Sequence, residues 1–171
     1  ELGDEWASDP VDLGGVVTAA IERVTELADR RRIAVTAVGA GLGGDATQIV
    51  VPGDRSQLVS AVGNLVENAV KYSEPDGRVA ITIGAGDRWV EIAVADQGVG
   101  IPQRDLSRIF ERFYRVDRAR SRDTGGTGLG LSIVRHVATN HGGDVVVSSA
   151  EGAGSTFVLR LPAPDPTRGA R

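Results

Sequence analysis

Asn64, Asn68 and Lys71 follow one another at spacings of four and three residues, with Tyr72 directly behind. On a helix, at about 100° per residue, the first three share a narrow stripe and the phenol sits at its edge. Leu58, Val62, Leu65, Val66 and Ala69 cluster on another arc of the same helix and face a core. The stripe thus presents two amides, an ammonium and a phenol beside an apolar face. A solvated polar face would read the same way, but Asn is a poor helix former and two in mid-helix need a return.

A second group lies on a strand. In Trp89 to Asp96, alternation puts Asp96 on the side of Val90, Ile92 and Val94, so a carboxylate ends an apolar row. Asp-Gln-Gly-Val-Gly follows, and Gly98 and Gly100 would let a planar ligand approach the backbone closely. A buried carboxylate there can accept a hydrogen bond from the exocyclic amine of adenine, whereas guanine presents a carbonyl and opposes two acceptors. An Asx turn at a strand end is an equal reading of this segment alone. The third group, Gly125-Gly126-Thr127-Gly128-Leu129-Gly130-Leu131-Ser132, runs directly into an apolar-periodic helix. Backbone N–H groups at a helix start, helped by the helix dipole, can cradle phosphates.

The elements that must position these groups are legible from periodicity. Leu13, Val16, Val17, Ala20, Ile21, Val24, Leu27 and Ala28 mark a helix over about 12 to 31. Ile33 to Val38 reads as a strand and Ile49 to Val51 as a short apolar run. Asp54 with Gln57 gives a start resembling a capping box for the helix that ends near Tyr72. After the turn Ser73 to Gly77, Val79, Ile81 and Ile83 alternate, as do Val90, Ile92 and Val94, which predicts a hairpin. Pro102 opens a predicted short helix through Phe110, and the polar, Arg-rich stretch Glu111 to Thr124 reads as mobile. Leu131, Ile133, Val134, Val137 and Ala138 mark a third long helix stopped by Gly142 and Gly143, before strands at Val145 to Ser149 and Thr156 to Leu161. Such unequal blocks predict a two-layer α/β sandwich, with helices packed on one face of a mixed, mostly antiparallel sheet.

Composition narrows the function classes. A length of 171 residues suits one domain, expected over 10–161, with 1–9 a linker remnant and 162–171 a flexible tail. A net charge of −4 with 41% apolar residues argues against nucleic-acid binding by phosphate neutralisation. With no cysteine and two histidines, any metal must be held by oxygen. No apolar run nears the roughly 18 residues that span a bilayer, so no membrane contact and a cytoplasmic location are expected. Gly39, Gly41 and Gly44 spell G-x-G-x-x-G after a strand, but no helix opens there and Asn64 stands where an acidic residue would be needed.

Taken in order, Asn64 to Ser73, Asp96 to Ile101, Ile109 to Tyr114 and Gly125 to Leu131 resemble the N, G1, F and G2 boxes of histidine kinases. Glu151 to Phe157 resembles the closing motif of the same domain, and the likeness covers about Pro10 to Leu161. The resemblance implies the Bergerat ATP-binding fold, with ATP and Mg²⁺ as ligands. It implies that Asn68 holds Mg²⁺ with Asn64 beside it, Lys71 meets a phosphate, Tyr72 packs on adenine and Asp96 reads its amine. Gly98, Val99, Gly100 and Ile101 join the adenine side, and Gly126, Thr127, Gly128, Leu129, Gly130 and Leu131 wrap the phosphates. Arg112 approaches the γ-phosphate, Arg115 to Asp123 form a lid, and Thr156 belongs to the nucleotide-binding set.

Water-activating members of the superfamily carry a glutamate one turn before the magnesium asparagine; Asn64 stands there and cannot take a proton. The chain therefore resembles a phosphoryl donor, with Asn64, Lys71 and Arg112 as its catalytic groups. The implied partner is a histidine-bearing helical dimerisation domain of the same parent protein, membrane-anchored by expectation, with a response regulator reached indirectly in a two-component system. His136 and His141 lie near the end of the third helix and read as structural. The Arg-rich lid and the Gly-rich run resemble the phosphate-regulon class of sensor kinases. Two alternatives stay open: a serine kinase of the anti-sigma-factor type, and a binding module that nucleotide merely switches.

Overall fold

The computed structural model describes residues 9–42, 47–116 and 126–164. In chain order the elements are β1 (Asp9–Asp12), α1 (Leu13–Arg31), β2 (Ala34–Gly39), β3 (Val50–Gly53), α2 (Arg55–Tyr72), β4 (Arg78–Ala85) and β5 (Trp89–Asp96). They continue with α3 (Gly130–Asn140), β6 (Asp144–Ala150) and β7 (Gly154–Pro162). Five strands form one sheet in the order β2-β4-β5-β7-β6, in which β2 runs parallel to β4 and the other pairs are antiparallel. The helices lie on one face of this mixed sheet, as the sequence predicts.

The layer is centred on α2, which packs against α1 on one side, α3 on the other and β4, β5 and β7 beneath. Its Leu58, Val62, Leu65 and Val66 are wholly buried and meet the inward row of the sheet, including Ile81, Ile92, Leu159 and Leu161. Each fully buried aliphatic side chain of this kind contributes about 1.5 to 3 kcal/mol relative to exposure. The alternation that identified the hairpin is what delivers this row: Val79, Ile81 and Ile83 point inward from β4, and Val90, Ile92 and Val94 from β5.

The start of α2 departs from a reciprocal capping box. Asp54 Oδ1 accepts from the N–H groups of Ser56 (2.8 Å) and Gln57 (3.1 Å), as a cap should. The Gln57 side chain, however, donates to Asp54 Oδ2 and does not return to the Asp54 N–H. That N–H donates at 3.0 Å to Nε2 of His141, whose Nδ1 lies 2.8 Å from the Val137 carbonyl. His141 thus ties the end of α3 to the start of α2, and its structural reading holds.

Two local expectations change. Pro102 to Phe110 is a succession of turns, not a helix: Asp105 N donates to Pro102 O and Arg108 N to Asp105 O, each at 2.9 Å. The tight three-residue bonds turn the Asp105 side chain inward, where the Tyr114 hydroxyl donates to it, and seat Ile109 in the core. The second change is β1, which has no apolar period to reveal it, because it pairs only with the short β3 and buries one residue, Val11. The G-x-G run makes a tight turn at Gly39 and Gly41, both at positive φ, with no helix after it, and Gly44 lies outside the described residues. Among the described residues no helix is long and apolar enough to cross a membrane.

The turn from α3 into β6 is close-fitting: a Cβ on Gly143 would stand 1.9 Å from the Arg160 carbonyl oxygen in β7. Gly143→Ala is therefore expected to cost about 1 to 3 kcal/mol, measured by urea denaturation followed through Trp89 fluorescence.

Candidate functional site

A cavity of about 900 Å³ opens where the C-terminal half of α2, the loop after β5, the start of α3 and residues 114–116 converge. The polar stripe of α2 faces it: Asn64, Asn68, Lys71 and Tyr72 all line the cavity. They do so because the apolar arc of the same helix is locked into the core, which leaves the adjoining arc no other direction. Asn64 Nδ2 donates at 2.8 Å to the Ser60 carbonyl one turn back. Its oxygen is thereby aimed across the cavity toward α3, where a Cβ on Gly130 would stand 3.0 Å from it. Lys71 Nζ lies 2.9 Å from Glu67 Oε1, so Glu67 turns toward the site and not simply to solvent.

Asp96 continues the inward row of β5 at the cavity wall. Its Oδ1 accepts from the N–H of Gly98 at 2.9 Å and of Ser155 at 3.3 Å. The Asx turn and the ligand-reading carboxylate are therefore both available, since Oδ1 makes the turn and no described group donates to Oδ2. Burial raises the Asp96 carboxyl above the ordinary carboxylate range, and the two backbone bonds pull partly against that.

Gly100 lines the cavity as expected, and both glycines of this loop also serve a backbone contact. A Cβ on Gly98 would stand 2.1 Å from the Tyr72 carbonyl oxygen, and one on Gly100, at φ +71°, 1.9 Å from that of Ala150. Both are needed so that protein backbones can meet, and Gly98 does not line the cavity. Val99 and Ile101 do line it, held by bonds from Val99 N to Tyr72 O and from Ile101 N to Ser149 Oγ. The C-terminus of α2 is further fixed by Arg31, which donates to the carbonyls of Val70 (3.0 Å) and Ser73 (2.7 Å).

At the opposite end, Gly126, Thr127, Gly128, Gly130 and Leu131 line the cavity, while Leu129 does not. Leu129 is the N-cap of α3 and offers no side-chain cap, so the first N–H groups of the helix keep their affinity for an anion. Gly125 and residues 117–123 of the expected lid lie outside the described residues.

Two predicted site residues are placed elsewhere. Arg112 is exposed and does not line the cavity; Arg115 does, next to Gly126, three residues farther along the chain. The turn at Phe113, at φ +64°, with its N–H bonded to Gly128 O, directs Arg112 outward. Thr156 is on the outer face of the sheet, because β7 alternates and Ser155 is the residue paired with Asp96. Ser155 is buried in the cavity wall, with its Oγ 2.8 Å from Ser149 Oγ. The apolar row Phe157, Leu159 and Leu161 already puts Ser155 on the inward face of β7, and the pairing of β5 with β7 sets it opposite Asp96.

Among the described residues, the cations Arg31, Lys71, Arg104 and Arg115 line the cavity together with the carboxylates Glu67, Glu74, Asp96 and Glu151. Asn64, Glu67 and Asn68 all line the cavity, and their amide and carboxylate oxygens are the hard donors that a cation such as Mg²⁺ takes.

Residues 53–165 match the family described as histidine kinase-, DNA gyrase B- and HSP90-like ATPase. The sensor-like histidine kinase SenX3 of Mycolicibacterium smegmatis is 48% identical over 160 residues, covering 92% of this chain and 40% of that protein. The phosphate regulon sensor protein PhoR of Pseudomonas aeruginosa is 43% identical over 116 residues, covering 68% of this chain and 26% of that protein. Among solved structures, the mycobacterial sensor histidine kinase MprB superposes with a TM-score of 0.73 at 35% identity, covering 91% of this chain and 97% of that one. Full-length ShkA in complex with AMPPNP also gives 0.73, at 31% identity, covering 92% and 31%. The chain spans 40% or less of the length of the SenX3 and PhoR proteins.

The raised Asp96 carboxyl has a consequence for stability. The fold favours its uncharged form; that contribution is complete below the ordinary carboxylate range and is lost as pH rises through the raised native value. Asparagine keeps an oxygen for Gly98 and Ser155 without the charge. Asp96→Asn is therefore expected to raise the urea midpoint at pH 7, with the gain fading below about pH 4, as read from denaturation curves at both pH values.

Proposed function

The chain belongs to the histidine kinase-, DNA gyrase B- and HSP90-like ATPase family, and from that premise we propose that it is the ATP-binding catalytic domain of a two-component sensor histidine kinase. In this reading it binds Mg-ATP and donates the γ-phosphoryl to a histidine on a separate helical dimerisation domain of its parent. The observation that carries the reading is one cavity with an adenine-type reader at one end and an uncapped helix start at the other. Asp96 Oδ2 has no described donor, and the α3 N-terminus has no side-chain cap.

The adenine amine donates to Asp96 Oδ2, with Tyr72 and Ile101 packing on the ring and Ser155 adding a hydroxyl. Lys71, Arg115 and the N–H groups of Gly126 to Leu131 hold the phosphates. Asn68, with Asn64 beside it, would hold Mg²⁺ through amide oxygens; when bound, the ion neutralises charge on the phosphate oxygens. In the transfer, the bond from the γ-phosphorus to the bridging oxygen breaks, a bond to the histidine nitrogen forms, and ADP leaves. Phosphoryl transfer asks mainly for positioning and charge stabilisation, which amides, cations and N–H groups supply.

Transfer to protein, in preference to water, is supported by Asn64. Its Nδ2 is committed to Ser60 O and an amide is no base, so nothing at that position activates water. The acceptor is supplied from outside: His141 uses both ring nitrogens in structure, and His136 lies beside Asn140 at the exposed end of α3. The proposed domain is 10–161, on the cytoplasmic side of a membrane-anchored parent, with a response regulator downstream.

Incubating the chain with labelled ATP and a histidine-bearing helical domain is expected to give an acid-labile phosphoprotein. An acid-stable product would point to the serine-kinase reading, and no label on any domain to a nucleotide switch. Lys71 is the only lysine in the sequence, so an acyl-phosphate derivative of ATP should label that one side chain, and excess ATP should block it. In titration calorimetry, Asp96→Asn is expected to weaken ATP binding about tenfold or more, and Asn68→Ala to remove its Mg²⁺ dependence. Unchanged affinity in either variant would refute the assignment. Ser155→Ala should weaken ATP binding, while Thr156→Val, on the far face of the sheet, should leave it within about twofold.

A further inference from the structure

Among the described residues that line the cavity, Lys71 and Glu67 form an ion pair on the α2 stripe. There Lys71 Nζ stands 2.9 Å from Glu67 Oε1, one turn apart on the same helix face. The Lys71 side chain is 19% exposed and that of Glu67 43%, so the ammonium is the sheltered member and the carboxylate edges the opening. A pair of this kind contributes only a few tenths of a kcal/mol to the helix. A phosphate can therefore take the ammonium from it, but the carboxylate stays at the phosphate end of the site.

That residual charge discriminates between two forms of the same nucleotide. A metal-free triphosphate carries about four negative charges and would meet the Glu67 carboxylate directly, a repulsion that no bound cation offsets. A triphosphate that brings a divalent cation has half its charge neutralised, and the cation is attracted by the same carboxylate. Glu67 also adjoins Asn68, whose amide belongs to the oxygen set suited to that cation.

We propose that Glu67, paired with Lys71 on α2, is a specificity-determining residue that makes the cavity select metal-bound triphosphate over the metal-free polyanion. The inference rests on the ATP-site reading above and assigns to one side chain a selectivity that reading leaves open.

Titration calorimetry on the wild type and Glu67→Gln, using ATP with Mg²⁺, ATP with EDTA, and AMP, tests it. The wild type is expected to bind Mg-ATP more tightly than metal-free ATP. Glu67→Gln should tighten metal-free ATP by on the order of tenfold at low salt and so narrow that ratio, with AMP changed by less than about twofold. Glu67→Asp, which keeps the charge, should retain the wild-type ratio. An unchanged ratio in Glu67→Gln, or a change in AMP as large as that in metal-free ATP, overturns the role of Glu67 while leaving the ATP site intact. If the wild type binds neither ATP nor AMP, the ATP-site reading fails and takes this inference with it.

Discussion

The site depends on the rotation of one helix about its own axis. In α2 the arc that carries Leu58, Val62, Leu65 and Val66 is wholly buried, and the arc that carries Asn64, Asn68 and Lys71 adjoins it. A turn of the helix large enough to move the amides would drag aliphatic side chains into water, at about 25 cal/mol for every Å² exposed. Packing against α1, α3 and three strands closes off the remaining freedom. The hydrophobic effect, which has no direction of its own, thereby aims polar groups.

The wall opposite is fixed by backbones that touch. Gly98 admits the Tyr72 carbonyl, Gly100 that of Ala150 and Gly154 that of Asp96, each where a Cβ would come within about 2 Å of an oxygen. These contacts seat the loop after β5 between the end of α2 and the β6–β7 turn. Asp96 is then buried at its Oδ1, where two N–H groups receive it, and left open at Oδ2. The same atom that satisfies the turn orients the one left for a ligand.

Polar economy extends beyond the cavity. His141 caps α3 through Val137 and receives the Asp54 N–H, so one imidazole serves two helix ends. Arg31 at the end of α1 satisfies two carbonyls at the end of α2, beside Tyr72. Both contacts hold the helices in mutual register, His141 at the start of α2 and Arg31 at its end, where Arg31 also lines the cavity.

The sequence by itself determined whatever has a local period. The helix stripe of Asn64, Asn68 and Lys71, the apolar row ending in Asp96, the glycine run entering α3 and the two-layer fold class all follow from spacings of 3.6 and 2.0 residues. What only the tertiary structure decided lies where one segment meets another. Strand pairing put Ser155, not Thr156, opposite Asp96, and a left-handed turn at Phe113 sent Arg112 outward while Arg115 came in. Backbone crowding, not ligand approach, explained Gly98, and a distant histidine took the Asp54 N–H that a capping box would have kept local. Periodicity fixes which face of an element a side chain occupies, but the partner of that face is chosen by packing between residues far apart in the chain.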